Sequence, residues 1–514
     1  MRFGFRARIA RSVATIAPPR SQRAIECVPD ISHVKEIDMP STNLARMNAV
    51  LQSQRAAFLK EGTPGAETRK GRLQRAIGML ITYQDRIAAA VRADFGTRSA
   101  ITTKAAEILS SVGALGYALQ CLDRWMIPEI RDLVPETAGP GARAEIHRQP
   151  VGVVGVISPW NAPFLLSVSP LAGILAAGNR AMIKPSELTP ASSELLAQMV
   201  GEFFDESELA VFSGGQDVAE AFSGLPFDHL MFTGSARVAR QVMKRAAENL
   251  VPVTLELGGK SPVIVGSGCD IDMAATRIVH GKLLNAGQIC ISPDYVLVPK
   301  ARREEFVAAC RKAGDALYPT IADNEDYTSI ITDRHYQRAL DLVADAKAQG
   351  ARVVVGSGGS ASDLSARRKM PLHLVMDVSE GMRLVQEEIF APVLPVITYD
   401  ALREAIDYVN RGARPLALYF FGDDENERNL VIHHTWSGNI AMNDVVAQGL
   451  REEIPYGGIG ASGIGCYKGI DGFRNFSHAK PVFYQTAVDD ALKPLRPPYS
   501  DGVRAFVDSL LKGP

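Results

Sequence analysis

Cysteine is scarce in this chain of 514 residues. The six are scattered, with no CxxC pair and no histidine at metal-ligand spacing. A chain of this length buries several cores without disulfides or a structural metal. Sparse, unclustered thiols therefore point to a reduced, cytoplasmic protein in which a cysteine is free for chemistry. The nine histidines include no HExxH pair, so no metal site is expected, and His433-His434 reads as a surface pair. An excess of either charge is missing as well. Lys and Arg number 56 against 57 Asp and Glu, which argues against nucleic acid or an anionic membrane as the main partner. Residues 149–179 hold no charged side chain, but they carry Pro159, Pro163 and Pro170. A lipid-facing helix with three prolines strands backbone polar groups, so this stretch is expected as a buried strand, turn and helix, with no membrane span. The helix expected at 503–511 is too short to cross a bilayer.

What is present is ordinary for a globular protein: 46% hydrophobic and 22% charged residues. At about 150 residues per domain the length predicts roughly three domains. The first 24 residues stand apart, with Arg2, Arg6, Arg8, Arg11, Arg20 and Arg23 and no acid before Glu26. They read as a disordered leader, an organelle transit peptide, or the product of a start placed too early, with Met39 or Met47 as the true beginning. No apolar core of a secretory signal is among them.

From 47 to 127 the apolar spacing is helical. Beyond 141 short apolar strands alternate with helices: strands at 151–157, 181–184, 209–212, 229–232 and 253–257, with helices at 165–177, 186–204 (opened by Thr189-Pro190 or slightly earlier), 217–223 and 236–250 between them. A second alternating series runs from 262 to about 447, with strands at 263–265, 295–298, 353–355 and 416–421. This is α/β alternation with a parallel sheet covered on both faces, and two such units in series place a ligand cleft between them.

Several polar residues are isolated in apolar sequence. Cys290 closes Asn285-Ala-Gly-Gln-Ile-Cys290 and is either an activated thiol at an element boundary or a small buried hydrophobe. Glu256, inside Val-Thr-Leu-Glu-Leu-Gly-Gly, is either a base whose pKa burial raises or half of a buried ion pair. Asn161 donates to a developing oxyanion or braces a turn. Lys184 and Glu187 end a strand where open sheets bind nucleotide ribose, or simply begin a helix. Gly234 and Ser235, between strand and helix, suit a pyrophosphate or a plain turn. Gly152-Val-Val-Gly155 reads as a packing feature.

Taken together and in order, these segments resemble the aldehyde dehydrogenase superfamily. The matching stretches are Ser158-Pro-Trp-Asn161, Ile183-Lys-Pro-Ser-Glu187, Phe232-Thr-Gly-Ser235, Leu255-Glu-Leu-Gly-Gly-Lys260, Asn285-Ala-Gly-Gln-Ile-Cys290, Glu387-Glu-Ile-Phe390 and Pro455-Tyr-Gly-Gly458. Phe476-Ser-His478 and Arg496-Pro-Pro-Tyr499 look like the class 3 branch. The runs 228–235 and 249–256 look most like its coniferyl aldehyde dehydrogenases.

The resemblance implies a Rossmann-like cofactor domain (47–257, interrupted by part of an oligomerisation sheet near 142–149), a catalytic domain (258–447) and a C-terminal return (448–514) after a leader (1–46). The second part of that sheet is expected near 480–486. It implies Cys290 as nucleophile, Glu256 as the base for hydrolysis and Asn161 as oxyanion donor. NAD, with NADP as second option, would be held by Ser158, Trp160, Lys184, Glu187, Gly234, Ser235, Glu388 and Phe390. The implied reaction is oxidation of an aldehyde to its acid through a cysteine thiohemiacetal and thioester, in a homodimer, with coniferaldehyde to ferulate as the first substrate reading. A broad-specificity enzyme for medium-chain or aromatic aldehydes is the alternative, and a catalytically silent scaffold the reading from another class.

Three residues depart from the family pattern. Ala239 stands where the helix after Ser235 often has glycine. Ala391 replaces the glycine after Phe390, at a cost only if its φ is positive. Ala162 replaces an aromatic, which should widen the substrate tunnel toward bulky aldehydes.

Overall fold

The computed structural model describes residues 39–134, 138, 141–358, 360–487, 493 and 496–512. The arginine-rich start, with the three readings of it, lies outside the described residues. Helix already begins at Met39 (Met39–Glu61), upstream of the expected leader boundary at 46. Pro40 falls in its first turn, where a missing N–H costs little, and nothing after it interrupts the helix. Three further helices, Ala66–Thr82, Gln84–Phe95 and Ser110–Trp125, complete the helical opening.

The strands then group into three sheets in chain order. β1 (Glu129–Arg131) and β2 (Arg143–Pro150) begin the small antiparallel sheet. β3 (Val153–Ile157), β4 (Arg180–Lys184), β5 (Leu209–Val211), β6 (His229–Gly234) and β7 (Val253–Leu257) form a parallel sheet. These five match the expected strands to within two residues. β8 (Pro262–Val265), β9 (Tyr295–Pro299), β10 (Arg352–Val355), β11 (His373–Met376), β12 (Val393–Tyr399), β13 (Ala417–Phe421) and β14 (Asn439–Met442) form the second large sheet. Its order is β10-β11-β12-β9-β8-β13-β14, parallel except for β10. The chain then returns. β15 (Gly463–Ile464) pairs with β7, and β16 (Ser477–Tyr484) pairs with β2 along its whole length.

The order of the first sheet, β15-β7-β6-β3-β4-β5, decides where a ligand fits. From β3 the chain builds outward through β4 and β5, then crosses back to lay β6 on the other side of β3. The loops leaving the carboxyl ends of β3 and β6 therefore diverge, which is where open α/β sheets bind ligands. Gly155 is the packing glycine expected: a Cβ there would lie 2.6 Å from the Phe227 ring.

The helix after β4 opens at Thr189-Pro190, the later of the two starts expected: it spans Pro190–Phe203, and 186–189 form a turn in which the Leu188 N–H donates to Ser186 Oγ. Thr189 precedes a proline, and the proline ring disfavours helical φ/ψ at that residue.

The charge-free stretch is β3 followed by the helix Pro163–Ala176, almost wholly buried. By length and composition Ala100–Trp125 is apolar enough to cross a membrane, and half of it is buried inside the protein. It is interrupted by a π-helical turn, Lys104–Leu109, that carries Glu107 into the interior. There Glu107 pairs with Arg98 (Nη2 to Oε1, 2.8 Å) and accepts from the Phe164 N–H at 2.8 Å. A glutamate paired with an arginine inside a protein core marks this segment as an interior helix.

Candidate active site

The expected catalytic and cofactor-binding residues lie on loops or strand ends at the carboxyl edge of the first sheet, or just before strands of the second sheet. Ser158, Trp160 and Asn161 follow β3; Lys184 and Glu187 follow β4; Gly234 and Ser235 end β6; Glu256 is the fourth residue of β7. Because β3 pairs with both β4 and β6, Lys184 and Gly234 flank Ser158 on either side. Cys290 precedes β9, and Glu388 and Phe390 precede β12, both in the second sheet.

The loop bearing Cys290 is held in an unusual backbone. Asn285, Ala286 and Gly287 all have positive φ (52°, 52° and 73°). For the two non-glycine residues this costs on the order of 1 kcal/mol or more each, so the surroundings must enforce it. Gln288, fully buried, does so: its Nε2 donates to Asn285 O (2.9 Å) and Ser329 O (3.2 Å), and its Oε1 accepts from the Ile331 N–H (3.0 Å). Gly287 cannot be replaced without strain, since a Cβ would sit 2.6 Å from the Ala391 carbonyl oxygen. Ala391 itself is absent from the positive-φ residues, so its methyl carries no backbone penalty. Ala239 is buried on its helix.

Asn161 is tied into the same loop. Its Nδ2 donates to Gln288 O at 3.0 Å, and Asn285 Nδ2 donates to Asn161 O at 2.9 Å. One of the two amide hydrogens of Asn161 is thus committed, leaving the second to donate elsewhere. Arg98 Nη1 also donates to Asn161 O (3.2 Å). The buried Arg98–Glu107 pair therefore anchors Asn161, a connection the sequence did not reveal. The visible signal was an acid, Glu107, inside the apolar run that leads to Leu122. Glu107→Ala leaves the Arg98 charge buried without a carboxylate, which costs about 3–5 kcal/mol. We expect a markedly lower thermal transition for this variant, and a large recovery in the double variant Arg98→Leu/Glu107→Leu.

Glu256 is 3% exposed, and neither carboxylate oxygen has a hydrogen-bond partner. The ion-pair alternative is not realised: no cation is within bonding distance, and Lys468, whose charge reaches it, is engaged with Glu452 at 3.1 Å. Burial pushes the Glu256 pKa well above the usual carboxylate range, with Lys468 opposing. Burial likewise pushes the Cys290 thiol up to about 12; the charges of Glu388 and Glu256 add to this and a hydrogen bond from Tyr456 opposes it. At neutral pH the thiol rests protonated, and burial favours the neutral form of the acid as well.

Glu388 lies folded against Gly258, whose missing Cβ makes room for the carboxylate, and accepts from the Gly259 N–H. Burial first, then the charge of Asp294, lifts its pKa to about 7. Phe390, at φ 54°, packs edge-on against Trp160 with ring centroids 5.6 Å apart. Trp160 also meets His335 at 5.2 Å. Lys184 is buried, donates to Pro185 O at 2.6 Å and lies 3.8 Å from the carboxylate of the more exposed Glu187. Ser235 caps the helix Ala236–Glu248, accepting from the Val238 N–H. The Ser158 hydroxyl is committed to Ser167 Oγ at 2.6 Å.

A model of the aldehyde dehydrogenase family matches residues 17–482. The chain belongs to the aldehyde dehydrogenase family. It is similar to a probable coniferyl aldehyde dehydrogenase of Caulobacter vibrioides, 51% identical over 91% of this chain and 97% of the relative. A coniferyl aldehyde dehydrogenase of a Pseudomonas species is 46% identical over 91% of this chain and 96% of its own length. Among solved structures, an aldehyde dehydrogenase of Mycobacterium tuberculosis complexed with NAD+ superposes with a TM-score of 0.78 at 30% identity, covering 87% of this chain and 91% of that one. As a member of the family, this aldehyde dehydrogenase is an oxidoreductase acting on aldehydes with a nicotinamide dinucleotide.

Proposed function

We propose that this aldehyde dehydrogenase oxidises an aryl-propenal, coniferaldehyde, to the corresponding acid, ferulate, with Cys290 as nucleophile. The observation that carries the catalytic part is the unpartnered, buried carboxylate of Glu256 within electrostatic reach of a half-buried thiol. The ionised form of Glu256 takes the Cys290 proton and passes it to solvent, and the thiolate attacks the aldehyde carbon to give a thiohemiacetal. The free amide hydrogen of Asn161 and the Cys290 N–H meet the oxyanion; losing one such donor typically costs about 2.7–4 kcal/mol of barrier. Glu256 then activates the water that hydrolyses the thioester.

The residues present fit a nicotinamide dinucleotide. Lys184 and Glu187 offer a donor and an acceptor to a ribose. Gly234, Ser235 and the unpaired first-turn N–H groups of the helix Ala236–Glu248 suit a pyrophosphate. Glu388 and Phe390, backed by Trp160, take the nicotinamide riboside, while Ser158 shapes the turn from inside. When bound, the nicotinamide supplies the acceptor for the hydride that the thiohemiacetal carbon releases. Glu187 and Asp217 put negative charge beside Lys184, which disfavours a 2′-phosphate and supports NAD over NADP. The half-buried Ala162, where family members often carry an aromatic, leaves room for a bulky aldehyde. The uncovered edge strand β16 of the small sheet, with exposed Phe483 and Tyr484, supports a homodimer.

The test is NADH formation by the purified protein with coniferaldehyde, cinnamaldehyde, benzaldehyde, hexanal and acetaldehyde, each with NAD and with NADP. We expect the highest kcat/KM with coniferaldehyde and NAD. A flat profile, or a preference for hexanal, replaces this reading by a broad-specificity enzyme.

A further inference from the structure

One side chain at the thiol has no part in the scheme above. Tyr456, in the Pro455-Tyr-Gly-Gly458 stretch, is 7% exposed, and its hydroxyl lies 3.7 Å from Cys290 Sγ, within range of a sulfur hydrogen bond. The ring is clamped from several sides. Tyr467 meets it edge-on with ring centroids 5.9 Å apart and donates its backbone N–H to Tyr456 O at 3.1 Å. The Lys468 ammonium stands 5.4 Å from the ring centroid, and is itself held by Glu452 and the Gly449 carbonyl. A phenol fixed in this way holds its oxygen against the sulfur, and an overlying cation polarises the ring toward stronger donation.

We propose that Tyr456 is a catalytic residue of this aldehyde dehydrogenase, its phenol O–H donating a hydrogen bond to the Cys290 thiolate. The inference rests on Cys290 as the nucleophile. When Glu256 removes the thiol proton, the sulfur becomes an acceptor only, so the phenol must be the donor. Burial keeps the Tyr456 hydroxyl protonated throughout the working range, its pKa lying well above the ordinary value. As the sulfur–carbon bond forms, the sulfur electron pair enters that bond and the hydrogen bond to it weakens. The phenol keeps its proton throughout, and no other reactant is needed. The contribution is to the thiolate population, in a site whose burial otherwise disfavours the charged sulfur.

Tyr456→Phe removes the hydroxyl and keeps the ring. One charge-assisted hydrogen bond fewer raises the thiol pKa by about one unit, so about tenfold less thiolate is present at pH 8. The remaining thiolate is about threefold more nucleophilic, given a Brønsted slope near 0.5. Alkylation of Cys290, followed by mass spectrometry of its peptide, therefore slows about threefold. It slows by the same factor with iodoacetamide and with the bulkier N-ethylmaleimide, because thiolate fraction and not access has changed. Tyr467→Phe, which takes a hydroxyl from the same aromatic pair but none from the sulfur, leaves the rate unchanged. An unaltered rate in Tyr456→Phe overturns the proposal; so does unequal slowing by the two reagents, or equal slowing in both variants. Alkylation reads the thiol whether or not it attacks aldehyde, so these outcomes are separate from loss of activity in Cys290→Ala, which tests the nucleophile itself.

Discussion

Cys290→Ala is expected to lower kcat/KM for every aldehyde by on the order of 10⁴ to 10⁶, the scale on which enzymes lose a covalent nucleophile. The variant is predicted to fold normally, because Cys290 is only half-buried and its side chain makes a single hydrogen bond, to Tyr456. The loop is held by Gln288 and Asn285, through bonds that do not involve the thiol. Binding of NAD, followed by quenching of tryptophan fluorescence, should be within a factor of two of the wild type. Three other half-buried or buried thiols, Cys269, Cys310 and Cys466, offer no replacement. Burial raises the pKa of each, and none is positioned by the 285–288 turn. Substantial residual turnover in Cys290→Ala would move the nucleophile elsewhere and undo the mechanism.

Glu256→Gln should be almost as damaging, and more informative. The amide has the shape of the carboxylic acid but cannot take a proton from water, so hydrolysis of the thioester loses its base. A fall in kcat of about 10² to 10⁴ is expected, with a burst of NADH that approaches one equivalent per active site before the slow steady state. The pH dependence has a definite sign. Burial raises the Glu256 pKa, so its basic form is disfavoured relative to that of an exposed carboxylate and grows as pH rises. Wild-type kcat should therefore climb from pH 6 to 8 and be lost on the acid side. In Glu256→Gln the steady-state rate should lose that dependence on Glu256. Stopped-flow absorbance at 340 nm measures both burst and steady state. A variant with no burst, and with the wild-type slope in its steady state, would show that Glu256 is not the base for hydrolysis.

Much of the fold was legible in the chain because its strands are short apolar runs separated by helix-period segments. For β3 to β7 both faces are covered, so hydrophobic periodicity and Gly/Pro punctuation mark the boundaries. β11, β12 and β14 escaped notice since they lie in a region where alternation is weaker and loops are long. For the helix after β4, Ser186 and Glu187 also look like a helix start, and of the two openings the structure uses Thr189-Pro190. The candidate site was legible for a different reason. Cys290, Glu256 and Asn161 are polar residues in apolar surroundings, and burial makes such residues conspicuous.

Other members of the site could not be read in that way. Tyr456 is an ordinary aromatic in sequence, 166 residues from Cys290, and only the return of β15 to β7 brings its segment onto the thiol. The Arg98–Glu107 pair is likewise invisible until a π-helical turn points Glu107 inward beneath Asn161.

By itself, then, the sequence determined the family, the α/β alternation and the three residues on which the proposed chemistry depends, since each follows from local pattern and residue type. The tertiary structure alone decided which of the alternatives for those residues applied. Whether Glu256 was one half of an ion pair or a lone buried acid depends on what stands opposite it in space, and among the described residues no cation bonds to it, Lys468 acting only from a distance. Whether Cys290 was a packed hydrophobe or a reachable thiol depends on a strained turn that distant segments enforce. Local sequence sets the character of a side chain; desolvation and charge, which set its pKa and its reactivity, come from residues that only folding brings near.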